Sequence, residues 1–159
     1  MRRTSFEGID CSIAQTLEIV GEWWSLLIVR DAMLGMTRFE EFENDLQIYR
    51  NILSKRLTHL VDHGVLARRP YQSRPARDEY VLTDKGRDLW QVIAALRQWG
   101  DRWEAPDGPP ATVTHRSCGQ PSTVVPVCGS CGEVLTPGSL TVTSRPSARG
   151  PRPAAVTSS

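Results

Sequence analysis

Residues 47–83, QIYRNILSKRLTHLVDHGVLARRPYQSRPARDEYVLT, read as a helix, a tight turn and a basic hairpin. Leu53, Leu57, Leu60 and Val61 recur at i, i+4, i+7 and i+8, the stripe by which a helix packs on a core. At about 100° per residue, Asn51, Ser54, Lys55 and Thr58 fall together on the opposite face. Short polar groups and a cation are the side chains that hydrogen-bond base edges and phosphates. Gly64 stands where a glycine would stop the helix. Val65, Leu66 and Ala67 then open a strand, Asp78 to Leu82 supply its return partner, and the proline-rich RRPYQSRPAR is expected as the connection.

Charge separates this stretch from the rest of the chain. From Arg50 to Arg77 there are seven cations (Arg50, Lys55, Arg56, Arg68, Arg69, Arg74, Arg77) against one acid, Asp62, a balance of +6 in a chain whose net charge is +1. Such segregation costs self-repulsion, which a polyanionic partner offsets. A helix presenting Arg50, Asn51, Ser54, Lys55 and Thr58 beside a hairpin rich in Arg68, Arg69, Arg74 and Arg77 is therefore expected to be a winged helix reading DNA. An edge of a plain α+β core would account for the leucines and leave the charge unexplained.

At 159 residues the chain is one domain, or one domain with an appendage, and 40% apolar content suffices for a core. No run approaches the roughly 20 apolar residues of a membrane helix. The start, MRRTSFEGIDCS, lacks the apolar run of a signal peptide, so a cytoplasmic location is expected. Four cysteines in such a chain point to metal or redox chemistry rather than structural disulfides. No catalytic motif is present: there is no G-x-S-x-G, no P-loop and no G-x-G-x-x-G. His59 and His63, four apart, have no further ligand near them in sequence and read as solvent or phosphate contacts. Catalytic residues are expected to be none.

Ahead of the opening stretch, Asp10 is placed to cap a helix carrying Ile13, Leu17 and Val20, which Gly21 interrupts. The segment 22–34, EWWSLLIVRDAML, is apolar nearly all round and should be the most buried helix, with Trp24, Leu27 and Ile28 in the core. Gly35 ends it, and Thr37 is placed to cap RFEEFENDL, the first helix of a helix-turn-helix, with Phe39, Phe42 and Leu46 inward and its acids outward. After the hairpin, Thr83 should cap one long helix whose stripe is Leu89, Val92, Ile93, Leu96, Trp99 and Trp103. Six large apolar groups exceed what one side of so small a core hides, so a dimer interface centred on Leu96 and Trp99 is expected, as in symmetric DNA readers on palindromic sites. A monomer with this helix folded over its own core is the alternative.

Residues 105–112 read as a linker, and 113–143 change character. His115, Cys118, Cys128 and Cys131 form H-x2-C-x9-C-x2-C, each pair in a short turn followed by glycine. Two such turns supply the four ligands of a tetrahedral structural zinc site, with Val124, Val125, Val127, Leu135 and Val142 expected in short strands of a zinc ribbon. A Cys128–Cys131 redox pair is the rival reading. Residues 144–159 hold too few apolar groups to fold and read as a disordered tail.

The expected fold class is mainly α with a small β-wing: a winged helix-turn-helix domain over 9–104, followed by a small zinc-ribbon-like β module. Cys11 near the start, IVGEWWSLLIVRDAMLGMTRFEEFENDL, LSKRLTHLVDHGVLARR and EYVLTDKG together resemble the HxlR group of bacterial winged-helix regulators. The most specific pieces are W-x-L-L-I-x-R-D at Trp24–Asp31, L-x-x-R-L-x-x-L at Leu53–Leu60 and Y-x-L-T-x-K-G at Tyr80–Gly86. The resemblance implies a homodimeric transcription factor, often a repressor, whose first and last helices form the dimer interface. It also implies that Cys11 is a candidate sensor of electrophiles or oxidants, while other members respond to small ligands. As a thiol, Cys11 reads equally as a small buried hydrophobe. QIYRN departs from the family, which often has proline or serine in the turn before the recognition helix. A protein-interaction or RNA-binding module with a structural zinc site is the alternative function, and preference for duplex DNA over single-stranded RNA distinguishes the two.

Overall fold

Stop and cap signals cut the first part of the chain into four helices: α1 (Ser12–Val20), α2 (Ser25–Met33), α3 (Phe39–Leu46) and α4 (Arg50–Asp62). The structure, a computed structural model, describes residues 5, 6, 8–74 and 76–143. The tail read as disordered, 144–159, lies outside the described residues. A hairpin follows, β1 (Leu66–Ser73) and β2 (Ala76–Leu82), then α5 (Asp84–Asp88) and α6 (Trp90–Trp103). The chain divides into two compact units, the first ending at Val124 and the second starting at Val125. No helix among the described residues is long and apolar enough to cross a membrane.

The core of the first unit gathers Val20, Ile28, Val29, Phe42, Ile48, Leu53, Leu57, Leu60, Val65 and Leu66. Leu53, Leu57 and Leu60 are fully buried, as their spacing requires. Each such side chain contributes about 1.5–3 kcal/mol on burial, which fixes the rotation of α4 about its axis. Ile48, 4% exposed, pins the turn between α3 and α4, where Gln47 takes a left-handed conformation at φ 50°. Gly64 follows α4 at φ 67°, as the sequence led one to expect.

Several local expectations are corrected. Asp10 does not cap α1: Cys11 holds the N-cap position, without a side-chain cap bond. Helix α2 starts at Ser25 rather than Glu22, and Leu27 is 36% exposed rather than in the core; Trp24 packs partly against it and Ile28 fully. Thr37 does not cap α3. Its start is fastened by Glu41, whose carboxylate accepts the N–H of Thr37 (2.7 Å) and of Arg38 (2.8 Å). The Arg38 and Thr37 amides hold Glu41 below the ordinary carboxylate range.

The hairpin is longer than proline content suggested. RRPYQSRPAR is strand on both sides, pairing from Leu66↔Leu82 out to Ser73↔Ala76. The ladder passes Pro70 because the register slips between Pro70 and Gln72, a bulge that skips Tyr71 where a proline cannot donate. The segment before α3 adds a bridge, Arg38↔Glu79, with the Tyr80 N–H donated to Thr37 O at 2.6 Å.

Thr83 does cap the next element, its Oγ1 accepting the Gly86 N–H at 3.1 Å. Gly86 is needed for close packing, since a Cβ there would lie 2.2 Å from Val65 O. The expected single helix is two, because at Leu89 the backbone turns (φ −66°, ψ −9°) and its N–H reaches back to Gly86 O. Beyond residue 104 the expected ribbon strands are absent among the described residues. Only single bridges, Thr114↔Pro121 in the first unit and Val127↔Val134 in the second, and a 3-10 turn Pro137–Ser139 are present. Pro121 and Pro126 lack the N–H that would extend either ladder.

Candidate nucleic-acid interface

Burying the leucines of α4 turns its other side outward, and Arg50, Asn51, Ser54, Lys55 and Thr58 are all exposed. Arg68, Arg69, Arg74 and Arg77 on the hairpin are exposed as well. The hairpin is tied to the helix where Arg68 donates to Thr58 Oγ1 at 3.2 Å, its guanidinium 5.8 Å from the Tyr80 ring centre. Arg74 stands at the tip beyond the Ser73↔Ala76 pair. A helix and a hairpin tip thus present cations and short hydrogen-bonding groups together, the combination that follows a groove and its phosphates.

The seven cations divide into two groups. Arg50 pairs with Glu43 at 2.7 Å, Arg56 with Glu22 at 3.6 Å, and Arg69 with Glu79. Those acids lie outside the 50–77 segment, so the surface charge is lower than the segment's own count. Lys55, Arg68, Arg74 and Arg77 make no salt bridge among the described residues. The Tyr71 oxygen, with Glu40 further off, holds Arg77 above the ordinary arginine value. Arg56 is the one cation of α4 turned toward the protein, its Nε buried without a partner.

Three residues of this surface escaped the sequence reading. Tyr49, 79% exposed, is the N-cap of α4. Arg38 lies 5.0 Å over the ring of Tyr71, joining the start of α3 to the hairpin. The signal for Tyr49 and Arg38 was an aromatic and a cation just ahead of α4 and α3, at their N-cap positions; Tyr71 was hidden in a segment taken for loop. His59 and His63 are not free phosphate contacts. His59 Nε2 lies 3.0 Å from Ile19 O, and His63 Nδ1 lies 2.9 Å from His59 O.

With that geometry in place, likeness to known proteins becomes informative. A profile of the HxlR-like helix-turn-helix family matches residues 19–107. The chain belongs to that family. The HTH-type transcriptional regulator Rv3095 of Mycobacterium tuberculosis is 44% identical over 137 residues, 86% of this chain and 85% of its own. The crystal structure of PA1607, a candidate transcription factor, is 41% identical, with TM-score 0.80 over 89% of this chain and 100% of its own. The redox regulator HypR, in its reduced form, is 28% identical, with TM-score 0.53 over 57% of this chain and 90% of its own. The first two likenesses run well past the family's own span and take in C-terminal sequence.

Two surfaces outside the helix-turn-helix remain. Ile13 (71% exposed) and Leu17 (45%) leave an apolar stripe on α1, and Val92, Leu96, Trp99 and Trp103 leave one on α6. Leu89 and Ile93 of the expected stripe pack inward instead. On the far side of α6, Gln98 bonds both backbone groups of Val124 (3.0 and 2.6 Å), and Arg97 donates to Ser122 O at 3.1 Å. In the first unit His115 Nδ1 lies 3.3 Å from Cys118 Sγ. In the second, backbone N–H groups of Ser130 and Cys131 face Cys128 and lower its thiol pKa. No group of three or more His, Cys, Asp or Glu able to hold a metal is present among the described residues.

Proposed function

We propose that the chain is a homodimeric, sequence-specific DNA-binding regulator that represses transcription from a palindromic operator. The exposed polar face of α4 beside the arginine-bearing hairpin is the observation that carries this reading. Asn51, Ser54, Lys55 and Thr58 face base edges, while Arg68, Arg74 and Arg77 meet phosphates or a narrow minor groove. Arg50 and Arg69 join them by exchanging Glu43 and Glu79 for phosphate oxygens. Membership in a helix-turn-helix family and the relatives described as transcriptional regulators support it. Replacing Arg74 and Arg77 together by alanine is expected to weaken binding to all duplexes and to flatten the salt dependence by about one unit of log–log slope per arginine lost. An unchanged slope would remove the hairpin from the interface.

The regulator responds to an electrophile, an oxidant or a small ligand. Cys11, half-buried at the N-cap of α1, is placed where the partial positive charge of a helix start favours thiolate, and a redox regulator stands among the similar structures. Modification of Cys11 by a thiol-specific reagent is expected to release duplex DNA. Full labelling with unchanged affinity would make Cys11 a packing residue only.

A further inference from the structure

The start of α4 is held from both sides. Ile48, 4% exposed, sits in the core, and Gln47 before it turns left-handed at φ 50°. Tyr49 then takes an extended conformation (φ −63°, ψ 135°), and its carbonyl accepts the N–H of Ile52 (2.9 Å) and of Leu53 (3.0 Å). Leu53 is fully buried, so the backbone that carries the Tyr49 side chain is anchored before and after it. Of the three side chains at this start, two turn back on the protein. Arg50 pairs with Glu43 at 2.7 Å, its guanidinium 4.7 Å over the Phe39 ring, and Asn51 Oδ1 accepts the Ile52 N–H at 2.9 Å. Tyr49 is 79% exposed and makes no side-chain cap bond. Among the described residues its ring and hydroxyl engage no partner. A serine, aspartate or asparagine at an N-cap would accept one of the free amides of the first turn. Tyrosine forgoes that bond and leaves a large ring in water, at the end of the helix that a helix-turn-helix brings to base edges.

We propose that Tyr49 is a specificity-determining contact, its ring packing against the 5-methyl group of one thymine in each half-site. This rests on the proposed reading of duplex DNA by α4 and adds one base to it. Most groups on the base edges of the major groove are hydrogen-bond donors or acceptors, and the thymine methyl is the apolar exception, met by apolar side chains. The exposed residues Asn51, Ser54, Lys55 and Thr58 all carry hydrogen-bonding groups. The Tyr49 ring supplies the large apolar surface that they lack. A ring with two side-chain torsions on an anchored backbone also loses little freedom on contact. A phosphate contact would use the hydroxyl alone and carry no sequence preference. Stacking on the bases of a single strand would be equally indifferent to sequence.

Selection from a random duplex library by the full-length wild-type chain, by Tyr49→Ser and by Tyr49→Phe tests the contact. The wild-type chain is expected to enrich a thymine at one fixed position of each half-site, and Tyr49→Ser to relax that position while keeping the rest of the motif. Replacing this thymine by deoxyuridine removes only the methyl. It is expected to weaken wild-type binding about fourfold per half-site and to leave Tyr49→Ser binding unchanged. Tyr49→Phe should keep the preference. Serine is a good N-cap, so Tyr49→Ser should unfold at the same or a higher denaturant concentration, which separates lost specificity from a lost fold. A wild-type motif without a thymine-dependent position would overturn the contact, as would equal deoxyuridine effects in the wild-type chain and Tyr49→Ser. Loss of the preference in Tyr49→Phe would also overturn it, assigning the role to the hydroxyl. A wild-type chain that enriches no duplex would instead remove the reading of DNA, and this contact with it. The deoxyuridine comparison on the wild-type chain needs no variant, so a misfolded substitution cannot mask the outcome.

Discussion

A chain carrying Leu96→Asp together with Trp99→Asp is expected to sediment as a 17.7 kDa monomer, and the parent, on the proposed reading, as a dimer. Its affinity for a palindromic duplex is expected to fall by about 10²–10⁴-fold. Leu96 is 52% exposed and Trp99 57%, on a face shared with Val92 and Trp103, and α1 adds Ile13 and Leu17. Apolar rows of this size on a small domain mark an association surface. Among the described residues the other sides of α6 are the ones engaged: Leu89 and Ile93 turn to the core, and Arg97 and Gln98 hold residues 122–124. Two linked reading heads gain effective concentration that a monomer lacks, which sets the size of the loss. A doubly substituted chain that remains dimeric would move the interface elsewhere.

Helix α4 is expected to split cleanly between stability and recognition. Leu57→Ala removes a side chain with 0% exposure and should cost about 2–5 kcal/mol of stability. Against a total of about 5–15 kcal/mol for a small domain, that is a large fraction. Lys55→Ala, two residues away and exposed, should leave stability within about 0.5 kcal/mol and instead weaken specific binding by about 1–3 kcal/mol. Chemical denaturation and duplex titration of the same two proteins separate the effects. Equal losses of stability in both would mean that α4 is packed on two sides and presents no reading face.

The leucine spacing of α4 was legible because three residues at i, i+4 and i+7 reach one core, and the structure buries all three. Gly64 and Thr83 were legible because their jobs, a left-handed stop and a hydroxyl cap, are local. The start of α3 was not. Thr37 offered the expected hydroxyl, but the helix begins one residue later and its start is fastened from inside, by the Glu41 carboxylate reaching back to the Thr37 and Arg38 amides. The hairpin length was misjudged because Pro70 normally ends a ladder, and only the register shows that a bulge carries the strand past it. Leu27 was assigned inward by composition alone, since a helix apolar nearly all round gives no direction to its periodicity. The charge count overstated the positive charge of this surface, because Glu22, Glu43 and Glu79 approach from other elements. The valines near the cysteines suggested strands, but a single backbone bridge per hairpin is all that the flanking prolines allow.

Selection of bound sequences from a random duplex library, followed by titration of the selected duplex and of single-stranded RNA, tests the central claim most directly. Two inverted half-sites about one helical turn apart, roughly 10–10.5 base pairs centre to centre, should emerge and bind in preference to RNA. No enrichment of any duplex, or tighter binding to the single strand, would contradict a dimeric winged helix that reads DNA.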